Sequence, residues 1–188
     1  MKEIRLAEIR AENLTADKKD AFIIEGTPIV FDQPTTIHDP AGEYIEIIRS
    51  GALDDAELSD SRLLYNHDLS KVPLARTPKT MQFTVNEAGL QMRAELPNTE
   101  DAKSVYEAVK RGDLSGMSFA FKVPEGGDFY DPATNTRTIN KISKVYEVSI
   151  VPFPAYPQTS VEARKVMSPR EIARKQALIK CNLILSKI

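Results

Sequence analysis

Residues 141–157 read KISKVYEVSIVPFPAYP, a run rich in β-branched and aromatic residues that stops at Pro152, Pro154 and Pro157. Proline has no N–H for a ladder, so this run predicts a long strand with an abrupt loop exit. Other segments repeat the theme. Ile4 and Leu6 alternate with charged residues, as on a half-buried strand, and AFIIEGTPIVFD is a second β-rich run. SRLLYNHD reads as a strand ending in a polar turn, and LSGMSFAFKV as another strand. TMQFTVNEAGLQMRAEL reads as a hairpin with Gly89 near its turn. QPTTIHDPAGE and EGGDFYDPATN read as loops by their Pro, Gly and Asp content.

Helical signals are fewer. Ala102, Val105, Tyr106 and Val109 form one apolar stripe at helical spacing. Asn98 or Thr99 caps its start, Lys110 and Arg111 suit its end, and Gly112 stops it. GALDDAEL suggests a short helix. Ser168-Pro169-Arg170-Glu171 is a capping box that predicts a tail helix to about Leu185. The expected fold is mainly β with flanking helices, an α+β chain.

The chain has 188 residues and a formal charge of −2, which suits one domain with a short appendage and argues against a surface given over to nucleic acid. The charge is unevenly spread. From Arg164 onward seven basic residues face Glu171 alone, giving +6, while the preceding 163 residues, with eighteen basic and twenty-six acidic side chains, carry −8. A boundary is therefore expected near Ala163, between a body of residues 1–163 and a basic helical tail of residues 164–188. Cys181 is the single cysteine and His38 and His67 the only histidines, so neither an intramolecular disulfide nor a Cys- or His-rich zinc site is expected, and no cofactor or metal. No apolar run is long enough to span a membrane, and MKEIRLAEIRAEN is too charged for a signal peptide. A reducing, intracellular setting is the expectation.

Three residues are candidates for chemistry. His67 ends an apolar strand in YNHD. It is either a hydrogen-bonded strand-end residue or a general base. Strand alternation puts Gly116, Ser118 and Ala120 on one face and Met117, Phe119 and Phe121 on the other. A hydroxyl between glycine and alanine stands in open space, as a nucleophile requires, unless that face packs beneath a loop or helix. Ser115 falls on the Met117 face. Alternation likewise groups Val145, Glu147, Ser149 and Val151. A carboxylate there either faces water from an edge strand or, if buried, must have a partner. In that second role it orients a histidine. His38, in a polar stretch, reads as a solvated residue.

These residues stand in segments that resemble the prohead serine proteases of tailed bacteriophages, capsid-maturation enzymes related in fold to the herpesvirus assembly proteases. The likeness runs from AFIIEGTPIVFD with RSGALDDAEL, through LLYNHDLSKVPLART and AVKRGDLSGMSFAFKV, to YEVSIVPFPAYPQTSVEAR, roughly residues 20–164. KRGDLSGMSFAF and EVSIVPFPAYP are its specific parts. The resemblance implies a herpesvirus-protease-like β-barrel. It implies Ser118 as nucleophile, His67 as general base and Glu147 as third member. It places the oxyanion-binding N–H groups in Phe153–Tyr156, at Ala155 and Tyr156, where the arginine usual in the herpesvirus loop has no match. Ala120 stands where the family commonly has glycine. The implied substrates are the scaffolding protein or the scaffold-like segment of the major capsid protein, and the chain itself. The implied place is the assembling prohead in the host cytoplasm, with a homodimer possible, no membrane, and no evident role for nucleic acid. The competing reading is a catalytically silent capsid-assembly module with the same fold.

Overall fold

The computed structural model describes residues 3–9, 22–39, 42–153 and 162–165. In chain order the elements are β1 (Glu3–Ile9), β2 (Phe22–Val30), β3 (Thr35–Asp39), β4 (Gly42–Ile48), β5 (Arg62–Tyr65), β6 (Ala75–Arg76), β7 (Met81–Asn86), β8 (Gly89–Leu96), α1 (Glu100–Arg111), β9 (Gly116–Lys122), β10 (Asp128–Asp131), β11 (Thr136–Ile139), β12 (Lys144–Val151) and β13 (Glu162–Lys165). The fold is mostly β, with one helix among the described residues.

The main sheet runs β6-β5-β12-β9-β1-β2-β8-β7, with β13 also paired to β2. β13 lies against residues 22–25 of β2, whereas β1 meets β2 at Gly26 and Thr27, so the two share one edge end to end. The boundary expected at Ala163 falls within β13. The two outermost strands of this path, β6 and β7, are joined by residues 77–80 alone. A link that short forces the sheet to curl until its ends meet. No ladder joins β6 to β7 among the described residues, so the implied barrel is not closed there.

A second sheet, β10-β11-β4-β3, packs beside the first. It was not legible in the sequence: the stretches expected to be loops carry β3 and the start of β4, and β10. Short strands between turns keep a turn-like composition. Its polar centre is an ion cluster. Glu46 is fully buried and pairs with Arg137 (Nη1 to Oε2, 3.2 Å), whose Nη2 also reaches Asp128 Oδ2 at 2.6 Å. His38 lies on β3, exposed, with Nδ1 2.8 Å from Glu43 Oε1.

The helix follows its signals. Thr99 Oγ1 accepts from the Ala102 N–H at 3.4 Å, and Gly112 closes the helix at φ 84°. Ala102, Val105, Tyr106 and Val109 are its buried residues, and the Tyr106 ring lies 5.1 Å from that of Phe22 on β2. Glu100, Asp101, Lys110 and Arg111 complement the dipole at the two ends. The GALDDAEL segment is not a helix. It forms successive turns closed by Ala52 N–H to Arg49 O and Asp54 N–H to Gly51 O, then a single bridge from Glu57 to Lys144. The expected tail helix lies outside the described residues.

The hairpin of β7 and β8 turns at Glu87-Ala88, with Asn86 Oδ1 accepting from the N–H groups of Ala88 and Gly89. Gly89 has φ 149°, and a Cβ there would lie 1.9 Å from Ile29 O. Only glycine fits this crossing of backbones.

Candidate active site

Three adjacent strands bring the candidate residues together. β5 runs parallel to β12, and β12 antiparallel to β9. Ser149 is in register with both Leu64 and Ser118, and Glu147 with both Arg62 and Ala120. Residues opposite one another in a ladder share a face. Glu147, Ser149 and Ser118 therefore lie on one side of the sheet, with His67 just past the end of β5.

One turn of this geometry departs from simple alternation. Val145 pairs with Phe121 and Glu147 with Ala120, which are neighbours on β9. Tyr146 is thus the extra residue of a β-bulge. The bulge sends Val145 to the Phe121 face, away from Glu147, where alternation had grouped the two. Val145, Val148, Ile150, Met117, Phe119 and Phe121 together form the core side. Each such side chain, fully buried, contributes roughly 1.5–3 kcal/mol, which anchors the strands under the site.

Glu147 is 2% exposed. Its carboxylate has a partner on each oxygen: Oε1 is 2.8 Å from His67 Nδ1, and Oε2 accepts from Ser149 Oγ at 2.5 Å. It is therefore buried and paired, not a water-facing edge residue. An ionised carboxylate there selects the His67 tautomer with its proton on Nδ1, leaving Nε2 as the free base. The imidazole keeps a quarter of its surface exposed.

Asn66 and His67 both have positive φ, 51° and 58°. Two consecutive non-glycine residues in that region cost about 1–2 kcal/mol each. They are held by Asn66 N–H to Ile150 O at 2.9 Å and His67 N–H to Ser149 Oγ at 3.2 Å. This left-handed turn carries the histidine off the strand and back over β12.

Ser118 is fully buried, and its Oγ has no hydrogen-bond partner. The open space expected around it is absent: Gly116 and Ala120, on its own face, are buried too. Ser115 is exposed and precedes the strand. Ala155 and Tyr156 lie outside the described residues. Phe153, which opens that loop, is 88% exposed.

A pocket of about 290 Å³ lies between the 68–74 segment and α1, and its lining includes Tyr65 and Asp68, which flank His67 in the chain. Leu64, Leu74 and Val105, all buried, supply its apolar lining; Asp68, Asp101 and Ser104 supply polar atoms. The hydroxyl and N–H of Ser70 hold the Asp68 carboxyl below its usual range. No group of three or more His, Cys, Asp or Glu side chains suited to a metal ion occurs among the described residues. No helix among them is long and apolar enough to cross a membrane.

Ser149 was missed as a site residue. Its signal was a hydroxyl two positions after a strand carboxylate, hence on the same face.

The sequence was compared with known proteins. A model of the family described as Caudovirus prohead serine protease matches residues 7–173. The prohead protease of Enterobacteria phage HK97 is 28% identical over 157 residues, covering 81% of this chain and 68% of that protein. No solved structure matches.

Proposed function

The chain belongs to the caudovirus prohead serine protease family, a serine protease of phage prohead maturation, and we propose that it cuts through Ser118, His67 and Glu147. The observation that carries this reading is the His67–Glu147 pair, formed on the same sheet face as a buried serine hydroxyl that has no partner.

In the proposed reaction, Ser118 Oγ attacks a peptide carbonyl carbon while its proton passes to His67 Nε2. Glu147 holds the imidazole through Nδ1 and stabilises its cation. Backbone N–H groups of Ala155 and Tyr156 receive the oxyanion. The tetrahedral adduct collapses, the C–N bond breaks, and the leaving amine takes the proton from His67. Water then hydrolyses the acyl-enzyme by the same route. The Ser118–His67 contact is not made in the resting conformation, and Ser118 is fully buried. The proposed reaction requires substrate binding to bring Ser118 and His67 into contact, and unliganded sites of this kind are often loose.

The substrate is the scaffolding protein or the scaffold-like segment of the major capsid protein, together with the chain itself inside the assembling prohead. The pocket lined by Tyr65 and Asp68, which flank His67 in the chain, takes an apolar side chain of that polypeptide. The curl of the main sheet, whose outermost strands are consecutive in the chain, supports the herpesvirus-protease-like architecture. Residues 1–163 form the protease body, and the basic segment 164–188 is the part released by self-cleavage after Ala163.

Co-expression with the major capsid protein tests this. Intact masses of both chains are followed for wild type and Ser118→Ala. Wild type should shorten the capsid protein to a defined product, and Ser118→Ala should leave it whole. Equal cleavage by both removes Ser118 from the mechanism.

A further inference from the structure

We infer that Ser149 is a positioning residue of the protease, a fourth group that holds both the acid and the base in place; this rests on the Ser118–His67–Glu147 reading. Ser149 is fully buried on β12, in register with Leu64 on one side and Ser118 on the other. Its hydroxyl makes two bonds. The Oγ–H donates to Glu147 Oε2 at 2.5 Å, and Oγ accepts the His67 N–H at 3.2 Å.

Each bond answers a specific physical need. Glu147 sits out of water, and a carboxylate there must have donors on both oxygens. His67 supplies one and Ser149 the other. With Oε2 fixed by Ser149, the carboxylate cannot rotate, and Oε1 stays aimed at Nδ1. The backbone of His67 is in the left-handed region, which disfavours a residue with a Cβ. The accepting Oγ helps hold it there. One hydroxyl thus fixes the carboxylate of the third group and the main chain of the base.

The same bonds separate Ser149 from the nucleophile. Its proton is committed to a carboxylate, not to the imidazole, whereas the Ser118 hydroxyl opposite it on β9 is uncommitted. Loss of a hydrogen bond to a charged group predicts a rate lower by roughly 10- to 100-fold, well short of the loss expected for a nucleophile.

The test uses the full chain in proheads isolated after co-expression with the capsid protein. A fluorophosphonate probe phosphonylates the attacking serine with loss of fluoride, and peptide mass mapping locates the adduct. Labelling rates are compared for wild type, Ser149→Ala, Ser149→Thr and Ser149→Val, with thermal melts as the folding control. Threonine and valine have nearly the same shape, so their packing strain cancels in the comparison, and the hydroxyl is what differs. Labelling at Ser118, slowed roughly 10- to 100-fold in Ser149→Ala and Ser149→Val but largely rescued in Ser149→Thr, supports the inference. Equal rates for Ser149→Thr and Ser149→Val, with Ser118 still labelled, overturn it and leave the triad intact. An adduct on Ser149, or none on Ser118 in wild type, overturns the underlying reading of the site as well.

Discussion

Glu147 Oε1 and His67 Nδ1 are 2.8 Å apart although eighty positions separate them in the chain. The pair exists because β5 and β12 run parallel and adjacent, and because regular alternation from Ser149 keeps Glu147 on the face that His67 overhangs. Replacing Glu147 by Gln keeps the shape and removes the charge. An amide cannot both accept from Nδ1–H and stabilise an imidazolium. Turnover of the capsid substrate should fall by about 10³–10⁴-fold while the melting temperature stays close to that of wild type. Loss below tenfold in a folded Glu147→Gln protein would remove Glu147 from the proposed triad.

Much of this arrangement was readable from local signals. The helix, its caps and its buried stripe followed from spacing alone, as did the β7–β8 hairpin and the faces of β9. What escaped was non-local. A bulge inserts one residue without altering the pattern of residue types, so Val145 and Glu147 still look like one face. Nor does a sequence reveal what covers a face: Gly116, Ser118 and Ala120 suggest open space, but all three are buried. The strands β3 and β10 and the start of β4 hid in turn-rich stretches: β3–β4 and β10–β11 are short hairpins of turn-like composition, and only the pairing of β4 with the distant β11 joins them into a sheet. Ser149 was within reach, two positions along from Glu147, but its value depends on the His67 main chain arriving from another strand.

The ion cluster of the second sheet carries its own prediction. Arg137 lies between Glu46, which is fully buried, and Asp128. Truncating the cation takes an ionic partner from a carboxylate held out of water. Arg137→Met should therefore destabilise the fold by about 3 kcal/mol, at the low end for breaking a buried pair. Urea unfolding at neutral pH measures it. A loss below about 1 kcal/mol would mean that Glu46 finds adequate donors elsewhere.

Acid should weaken the β5–β6 edge. Asp60 accepts from Arg62 Nη1 and Arg76 Nη2, each at 2.7 Å, and the Arg62 hydrogen bond, aided by the charges of Arg62, Arg76 and Lys144, lowers its pKa. A folded-state value below the unfolded one of about 4 means that the folded chain binds fewer protons there. The contribution is complete above the unfolded value and is lost as pH falls through the folded one. Asp60→Asn should flatten the fall of melting temperature below about pH 4, and added salt should shrink the difference between the two proteins at neutral pH, since the carboxylate is exposed. Parallel melting curves for both proteins across that range would show that the pair contributes nothing.

The pocket between the 68–74 segment and α1 yields a prediction about specificity. Ser104 faces it from the exposed side of α1, so a larger side chain there fills the space without entering the core. Lys71 and Asp101, 3.8 Å apart, join the 68–74 segment to α1 nearby. If the pocket takes an apolar side chain of the substrate, Ser104→Trp should raise KM for the capsid protein roughly tenfold or more and leave kcat and the rate of fluorophosphonate labelling nearly unchanged. Such a split separates the pocket from the chemistry, because the probe needs Ser118, His67 and Glu147 but no polypeptide. A fall in labelling equal to the fall in cleavage would place the damage at the triad. Unchanged KM in a folded Ser104→Trp protein would show that the substrate passes elsewhere.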